Sequence, residues 1–311
     1  MCRKSSLKGG RLYNAPLYLE KNSGRFFPVF MHLGNECIYS VIFFFRAKIL
    51  YELNAHFFVV DIPVFVPEYD KDKKYGWTNY KDELWDLLKE TTHGYCMYCY
   101  DRIWINQERR GQIEHGIEKK NSMKRLQDCV PNLGISCENC NQKYKKRGEQ
   151  KRRLSQEQIC EFEKGECTSF ECKEMCTSFR KIRRAYVKQG KIMIQPFETK
   201  LEENGNVLRI QYDLLQCKYI PMKSYHYTEQ ELEVIRKHIE LFALNSPERK
   251  NYEIAKYCKN VIDNRSLMLG IDYNNLIVDL FREKLVSLHE LEKAIKLCKT
   301  IYCMADLKES T

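Results

Sequence analysis

The sequence predicts an α+β fold, in which a small zinc-stapled core of β-strands and a helix is followed by a mainly helical C-terminal region. Two observations indicate this class. A pair of Cys-x-x-Cys segments brackets a short strand-like stretch, and apolar residues repeat at helical spacing near the C-terminus. The chain has 311 residues, of which 43% are hydrophobic, which is enough for more than one unit with a buried core.

The stretch before the cysteines, residues 1–78, is predicted to be an N-terminal packing segment. Its apolar runs at 57–60 and 64–66 are typical of strands. A helix is predicted over 79–90, because its leucines recur on one helical face. This helix delivers the chain to the first cysteine.

Two cysteine hooks, Cys96 with Cys99 and Cys137 with Cys140, are separated by 37 residues. One Cys-x-x-Cys turn lets two thiolates converge on a cation, and two such turns complete the tetrahedral shell of a structural Zn²⁺ site. Four sulfur ligands leave no open position, so we expect this ion to stabilise the fold rather than to catalyse. The alternative, four unrelated free thiols, is disfavoured by the paired spacing.

Glu114 and His115 lie between the hooks, and Asn141 directly follows the second. Carboxylate and amide oxygens suit Mg²⁺ or Mn²⁺, so Glu114 and Asn141 are candidate ligands of a catalytic divalent ion. A neutral imidazole accepts a proton from water, which makes His115 a candidate general base. A lone histidine is more often a surface or packing residue, but the neighbouring oxygen donors favour catalysis.

Together these residues resemble the HNH endonuclease family, whose pattern runs Cys-x-x-Cys, Asp/Glu-His, Asn-Leu and Cys-x-x-Cys-Asn/His with a lysine nearby. The matching residues are Cys96, Cys99, Glu114, His115, Asn132, Leu133, Cys137, Cys140, Asn141 and Lys145. The resemblance implies a ββα-metal core, with His115 on the first strand of a hairpin and Asn141 at the start of the helix. It also implies that Glu114 and Asn141 bind the catalytic ion, that His115 activates water and that Asn132 orients the histidine or its loop.

The specific resemblance is confined to residues 96–146. Glu118-Lys119 stands where many relatives have proline and lysine, and Asn141 stands in place of histidine, a known variation. Residues 194–210 and 242–250 are similar to HNH nucleases of bacterial anti-phage systems of the Septu or retron-linked type. That similarity implies antiviral defence together with an ATPase partner subunit.

Basic residues follow the second hook. The formal net charge of +10 favours an anionic partner such as nucleic acid. The predicted nucleic-acid-binding residues are Lys143, Lys145, Lys146, Arg147, Lys151, Arg152 and Arg153. A solvated helix face would explain this run equally well if the adjoining motif were absent. With the motif, we expect a nucleic-acid substrate, DNA rather than RNA.

The predicted organisation has four parts. They are an N-terminal segment (1–78), an HNH-like core (79–153), a basic and cysteine-rich insertion with a hairpin (154–226) and a helical C-terminal region (227–311). Gly205 indicates the turn of that hairpin. Thr228 with Glu231, and Ser287 with Glu290, have the spacing of capping boxes that open helices.

The chain contains fifteen cysteines, an odd number, and its N-terminus lacks the apolar segment of a secretory signal. We therefore expect the reducing cytoplasm rather than a disulfide scaffold. No run approaches the about 20 apolar residues that span a bilayer, so no membrane association is expected. A further group leaves open a second zinc site, although its spacing is unlike a paired hook: Cys160, Cys167, Cys172 and Cys176.

Three functions are compatible with these features. The motif favours a metal-dependent endonuclease that hydrolyses phosphodiester bonds. A zinc-stapled nucleic-acid-binding module without cleavage would need the cysteines and basic residues, but not Glu114, His115 and Asn141 together. A third possibility is a subunit that is inert alone and acts only in a complex with an ATPase.

Overall fold

The computed structural model describes residues 55–121, 124–165, 172–246 and 252–309. These residues belong to one compact unit, Arg46–Thr311. Most of the predicted N-terminal segment therefore lies outside the described residues. Helices and small antiparallel sheets are both present in the described part, so the predicted mixture of α and β structure is confirmed.

Short strands and longer helices make up the regular structure. The strands are β1 (Val59–Asp61), β2 (Trp104–Ile105), β3 (Glu108–Arg109), β4 (Gly111–His115), β5 (Leu133–Cys137), β6 (Ile210–Asp213) and β7 (Lys218–Pro221). The helices are α1 (Lys81–Thr91), α2 (Lys124–Gln127), α3 (Gln156–Glu163), α4 (Thr177–Gly190), α5 (Glu229–Leu241), α6 (Tyr252–Asn264), α7 (Leu276–Ser287) and α8 (Leu291–Glu309). Shorter turns include 3-10 turns at Ala55–Phe58, Lys119–Asn121, Val130–Asn132 and Glu149–Arg152, and a π-helical turn at Asn139–Tyr144.

The antiparallel pair β4 and β5 forms the centre of the region that the two cysteine hooks bracket. Ile113 pairs with Ile135, and both side chains are buried, so this face of the pair packs into the core. His115 is the last residue of the first strand. Directly after the second strand the chain enters the π-helical turn, which contains Asn141 at its third position. Two strands and a helical turn thus follow one another, but a six-residue π-helical turn stands where the predicted ββα-metal core has a helix, and that core is not confirmed.

A tight hairpin, β2 with β3, carries the chain from the first cysteine hook into β4. Its two turn residues, Asn106 and Gln107, have φ angles of 51° and 64°. Two consecutive positive φ values are the geometry of a type I′ turn, whose twist matches that of antiparallel strands.

The remaining sheet has the antiparallel order β1-β6-β7. The predicted strand at 57–60 is confirmed in part by β1, whereas 64–66 forms no strand. A hairpin lies within 154–226, but it is formed by β6 and β7 with its turn at 214–217, so the predicted hairpin around Gly205 is wrong. Asp213 explains this position, because its Oδ1 accepts hydrogen bonds from two backbone N–H groups that follow it in the turn, at 3.1 and 2.9 Å.

The described C-terminal region is helical, as predicted. α5 begins with the expected capping box, in which Thr228 and Glu231 bond reciprocally. The second predicted box is wrong: Ser287 ends α7, where its hydroxyl donates to the Lys284 carbonyl at 2.7 Å, and α8 begins only at Leu291. In the part of the chain that the structure describes, no helix is long and apolar enough to cross a membrane.

The C-terminal helices pack directly on the first cysteine hook. The Leu276 N–H donates to the Tyr100 carbonyl at 2.9 Å, which joins the start of α7 to the hook. Next to it, the Tyr98 ring stacks on Phe242 just after α5, with centroids 4.5 Å apart. The helical region therefore packs against and supports the first cysteine hook.

Candidate functional site

Four cysteine thiols converge at the end of β5. The Sγ atoms of Cys96, Cys99, Cys137 and Cys140 lie within 4.8 Å of one another. Those of Cys99 and Cys137 are 3.6 Å apart. Four sulfurs held about 2.3 Å from one zinc ion in a tetrahedron lie about 3.8 Å apart. The four residues therefore fit a structural Zn²⁺, and the predicted cysteine cluster is confirmed.

Backbone groups hold the two hooks in this arrangement. The Met97 N–H donates to the Ile135 carbonyl at 3.2 Å and so fastens the first hook to β5. In the second hook, the Cys140 N–H lies 3.5 Å from the Cys137 sulfur. The pKa of the Cys137 thiol lies below its ordinary value, because the thiols of Cys140 and then of the other hook donate to it, whereas the pKa values of Cys99 and Cys140 lie above theirs. The convergence of the four sulfurs, rather than the pKa of any one of them, identifies the cluster as a candidate metal site.

Asn132 ties together the segment between β4 and β5. Its Oδ1 accepts from the Ile117 N–H at 2.8 Å, and its Nδ2 donates to the carbonyls of Ile117 at 3.2 Å and Leu126 at 3.0 Å. The side chain is fully buried, so no water replaces these bonds if the amide is removed. These are the contacts of a residue that orients the loop after His115.

His115 ends β4 with a neutral imidazole. Its Nε2 lies 3.0 Å from the Gln127 carbonyl oxygen. Because a carbonyl only accepts, this contact assigns the proton to Nε2 and leaves the lone pair on Nδ1. Burial, reinforced by the charge of Lys119, lowers the pKa of His115 to about 4. The ring is therefore neutral near pH 7, and Nδ1 is able to accept a proton as a general base must.

Glu114 lies on the opposite face of β4 from His115, because successive side chains of a strand point to opposite faces. Its carboxylate is fully buried and accepts hydrogen bonds from the Tyr98 hydroxyl and the Lys145 ammonium. The same ammonium donates to the backbone carbonyl of His115. Both carboxylate oxygens are thus engaged, one of them by a cation.

Asn141 lies along the Glu114 face of β4. Its Nδ2 donates to Gln112 Oε1 at 3.0 Å, and Gln112 precedes Glu114 by two residues on the same strand. The two predicted ligands of the catalytic ion therefore share one face, and the predicted base faces away from them. In this arrangement the pair does not fit a divalent cation, because Lys145 already neutralises the carboxylate of Glu114.

Comparison with known proteins adds no family to this geometry. No family model, curated protein or solved structure matches the chain. The resemblance to HNH endonucleases therefore stays a prediction. It depends on the motif residues and on the contacts of Asn132, His115 and the cysteine cluster.

The basic stretch after the second hook is divided between surface and interior. Five of its residues are exposed: Lys143, Lys146, Arg147, Lys151 and Arg153. Lys145 and Arg152 are buried, the first in its ion pair with Glu114 and the second with Glu118 at 3.0 Å. The structure corrects the prediction for these two, because a buried, ion-paired cation has no access to a phosphate.

Trp77 and Lys119 adjoin His115 and were not among the predicted site residues. The Trp77 ring meets the imidazole edge-on, with centroids 5.1 Å apart, and the Lys119 Nζ lies 4.0 Å from the centre of the Trp77 ring. The sequence offers one signal for this contact. A tryptophan in a charged loop, outside any apolar run, is a candidate for a partly exposed functional ring.

The second cysteine group gains no support as a zinc site. Cys160 is exposed, Cys172 and Cys176 are half-buried, and Cys167 lies outside the described residues. Within the described ranges, no group of three His, Cys, Asp or Glu side chains other than the four-cysteine cluster fits a metal ion.

Proposed function

We propose that this protein hydrolyses phosphodiester bonds of nucleic acid as an HNH-like endonuclease. The observation that carries the proposal is the state of His115. Its Nε2 proton is committed to the Gln127 carbonyl oxygen, 3.0 Å away, and Nδ1 is therefore left as the acceptor. This base stands at the motif position where the resemblance expects one.

In the proposed reaction, His115 Nδ1 takes a proton from a water molecule as the water oxygen attacks phosphorus. The bond from phosphorus to the leaving oxygen breaks, and that oxygen takes a proton from solvent. Asn132 keeps the loop after His115 in place, and the zinc cluster holds the strands without touching the reacting atoms. No step is assigned to a divalent ion, because the Glu114 carboxylate is already paired with Lys145.

The five exposed basic residues after the second hook supply positive charge for the sugar-phosphate backbone. We propose DNA as the first substrate to examine. Activation by an ATPase partner and a role in anti-phage defence stay predictions from the sequence resemblance.

The test is a cleavage assay with the purified chain against single- and double-stranded DNA and RNA. Reactions run without added metal and with Mg²⁺ or Mn²⁺, and the termini of the products are identified. The proposal expects new phosphate and hydroxyl ends on at least one substrate. Intact nucleic acid under every condition, with and without a co-purified partner, contradicts it.

One observation favours the second candidate, a zinc-stapled nucleic-acid-binding module without cleavage. The buried ion pair between Glu114 and Lys145 closes the position of a predicted metal ligand. This candidate expects salt-dependent binding and no cleavage under any condition. Binding and cleavage are measured on the same preparations: salt-dependent binding without cleavage supports this candidate, and cleavage that His115→Gln abolishes excludes it.

A further inference from the structure

Trp77 is held beside His115 by a clamp from a distant part of the chain. Asp128 Oδ1 accepts the N–H groups of Trp77 at 3.0 Å and Thr78 at 2.7 Å, and Asp128 Oδ2 accepts the Thr78 hydroxyl at 2.7 Å. The preceding Gly76 permits the tight turn, since a Cβ there would lie 2.9 Å from a backbone oxygen. The half-buried Trp77 ring therefore occupies a fixed place against the imidazole.

Two lysine ammonium groups gather on this ring from separate segments. Lys119, which opens the 3-10 turn after β4, has its Nζ 4.0 Å from the ring centre, and Lys81, the first residue of α1, has its Nζ at 4.5 Å. Both side chains are exposed. An aromatic face attracts cations, so Trp77 is able to keep two like charges close together.

Within the part of the chain that the structure describes, no ion pair neutralises either of the two ammonium groups. Among the described residues, neither Lys81 nor Lys119 forms an ion pair with a carboxylate. The nearby Asp128 carboxylate is occupied by the three donors of the clamp. The pKa of Lys119 is lowered by burial and by the charge of Lys81. An anion placed between the two would relieve this repulsion.

We infer that Lys81 and Lys119, held on the Trp77 ring, form a binding site for one backbone phosphate of a nucleic-acid strand next to His115. The inference rests on the proposed function for the choice of ligand. Lysine binds phosphate as a point charge, and two such charges near a general base hold a substrate strand where its backbone is within reach of the base. The Trp77 ring does not contact the phosphate in this site; it holds the two lysine ammonium groups in position.

The test measures binding of a short fluorescein-labelled single-stranded DNA by fluorescence anisotropy at several salt concentrations. All proteins carry His115→Gln, which keeps the DNA intact. Lys81→Gln and Lys119→Gln are compared with Lys256→Gln, an exposed lysine on α6 that makes the same change of charge. Each site variant should weaken binding about 3- to 10-fold and lower the slope of log affinity against log salt by about 1, whereas Lys256→Gln should do neither.

A second measurement locates the phosphate. Single phosphate linkages of the DNA are replaced, one at a time, by an uncharged methylphosphonate. For one of these modified DNAs, Lys119→Gln should no longer weaken binding. Site variants that bind like Lys256→Gln overturn the inference, even if the parent cleaves DNA. Weakened binding by the site variants together with a parent that never cleaves leaves the phosphate site standing and removes the proposed hydrolysis.

Discussion

The Lys145 ammonium and the Glu114 carboxylate form a buried ion pair across the interface of the π-helical turn and β4. The exposed fraction of each side chain is at most 2%. The carboxylate also receives the Tyr98 hydroxyl, and the ammonium also donates to the backbone of His115. The pair therefore joins the second cysteine hook to the strand that presents the proposed base.

The first prediction concerns this pair. Lys145→Met should lower the free energy of unfolding by about 3–5 kcal/mol, because it leaves a buried carboxylate without its cation. The matched control is Lys146→Met, which changes an exposed neighbour and should shift stability by no more than about 0.5 kcal/mol. Urea unfolding followed by circular dichroism measures both. Equal stability of the two variants would show that the pair is absent in solution.

The second prediction concerns the metal. The purified chain should hold one zinc ion in the four-cysteine cluster, and Cys137→Ser should lose that ion together with much of the fold. Cys303→Ser, at an exposed position far from the cluster in sequence, should keep it. Metal analysis by mass spectrometry gives the count. If Cys137→Ser retained a full zinc ion, the assignment of these four cysteines as the zinc ligands would be wrong.

The third prediction concerns Asn132. Asn132→Ala should cost about 1–3 kcal/mol of stability, since it leaves buried backbone groups of Ile117 and Leu126 without partners. Cleavage should fall further than the small loss of folded protein explains, because the loop after His115 is no longer fixed. Activity per folded molecule, with folded fraction measured at the assay temperature, provides the comparison. Parental activity per folded molecule would assign Asn132 to stability alone.

The fourth prediction is a pH dependence. The base must be unprotonated, and the pKa of His115 lies near 4 rather than 6.5. Cleavage should therefore rise as pH increases through about 4 and should stay level between about pH 5.5 and 7.5. Nuclear magnetic resonance titration of the ring gives the same pKa independently. If the cleavage rate instead rose with a midpoint near pH 6.5, the group whose deprotonation controls cleavage would not be a buried His115.

The sequence predicts those parts of the site that depend on short-range spacing. Each Cys-x-x-Cys hook and the capping box at Thr228 depend on residues that are close along the chain, whereas the strand ending at His115 is expected only from the resemblance to HNH endonucleases. Local residues determine the hooks and the capping box, so the sequence alone predicts them.

Other features depend on contacts between distant residues. Lys145 reads as one more residue of a basic run, and only the packing of the π-helical turn against β4 turns it inward to Glu114. Trp77 reaches His115 because Asp128, 51 residues later, clamps its backbone. The orientations of the Lys145 and Trp77 side chains do not follow from sequence spacing, because each depends on how two separate elements pack against each other.

The most direct measurement is the single-turnover cleavage rate of His115→Gln beside His226→Gln. Glutamine keeps a donor for the Gln127 carbonyl but has no basic nitrogen. With zinc content and stability unchanged, we expect a loss of at least about 100-fold for His115→Gln and the parental rate for the control, in which His226 is an exposed residue of the loop before α5. Cleavage by His115→Gln at the parental rate would contradict the assignment of His115 as the base.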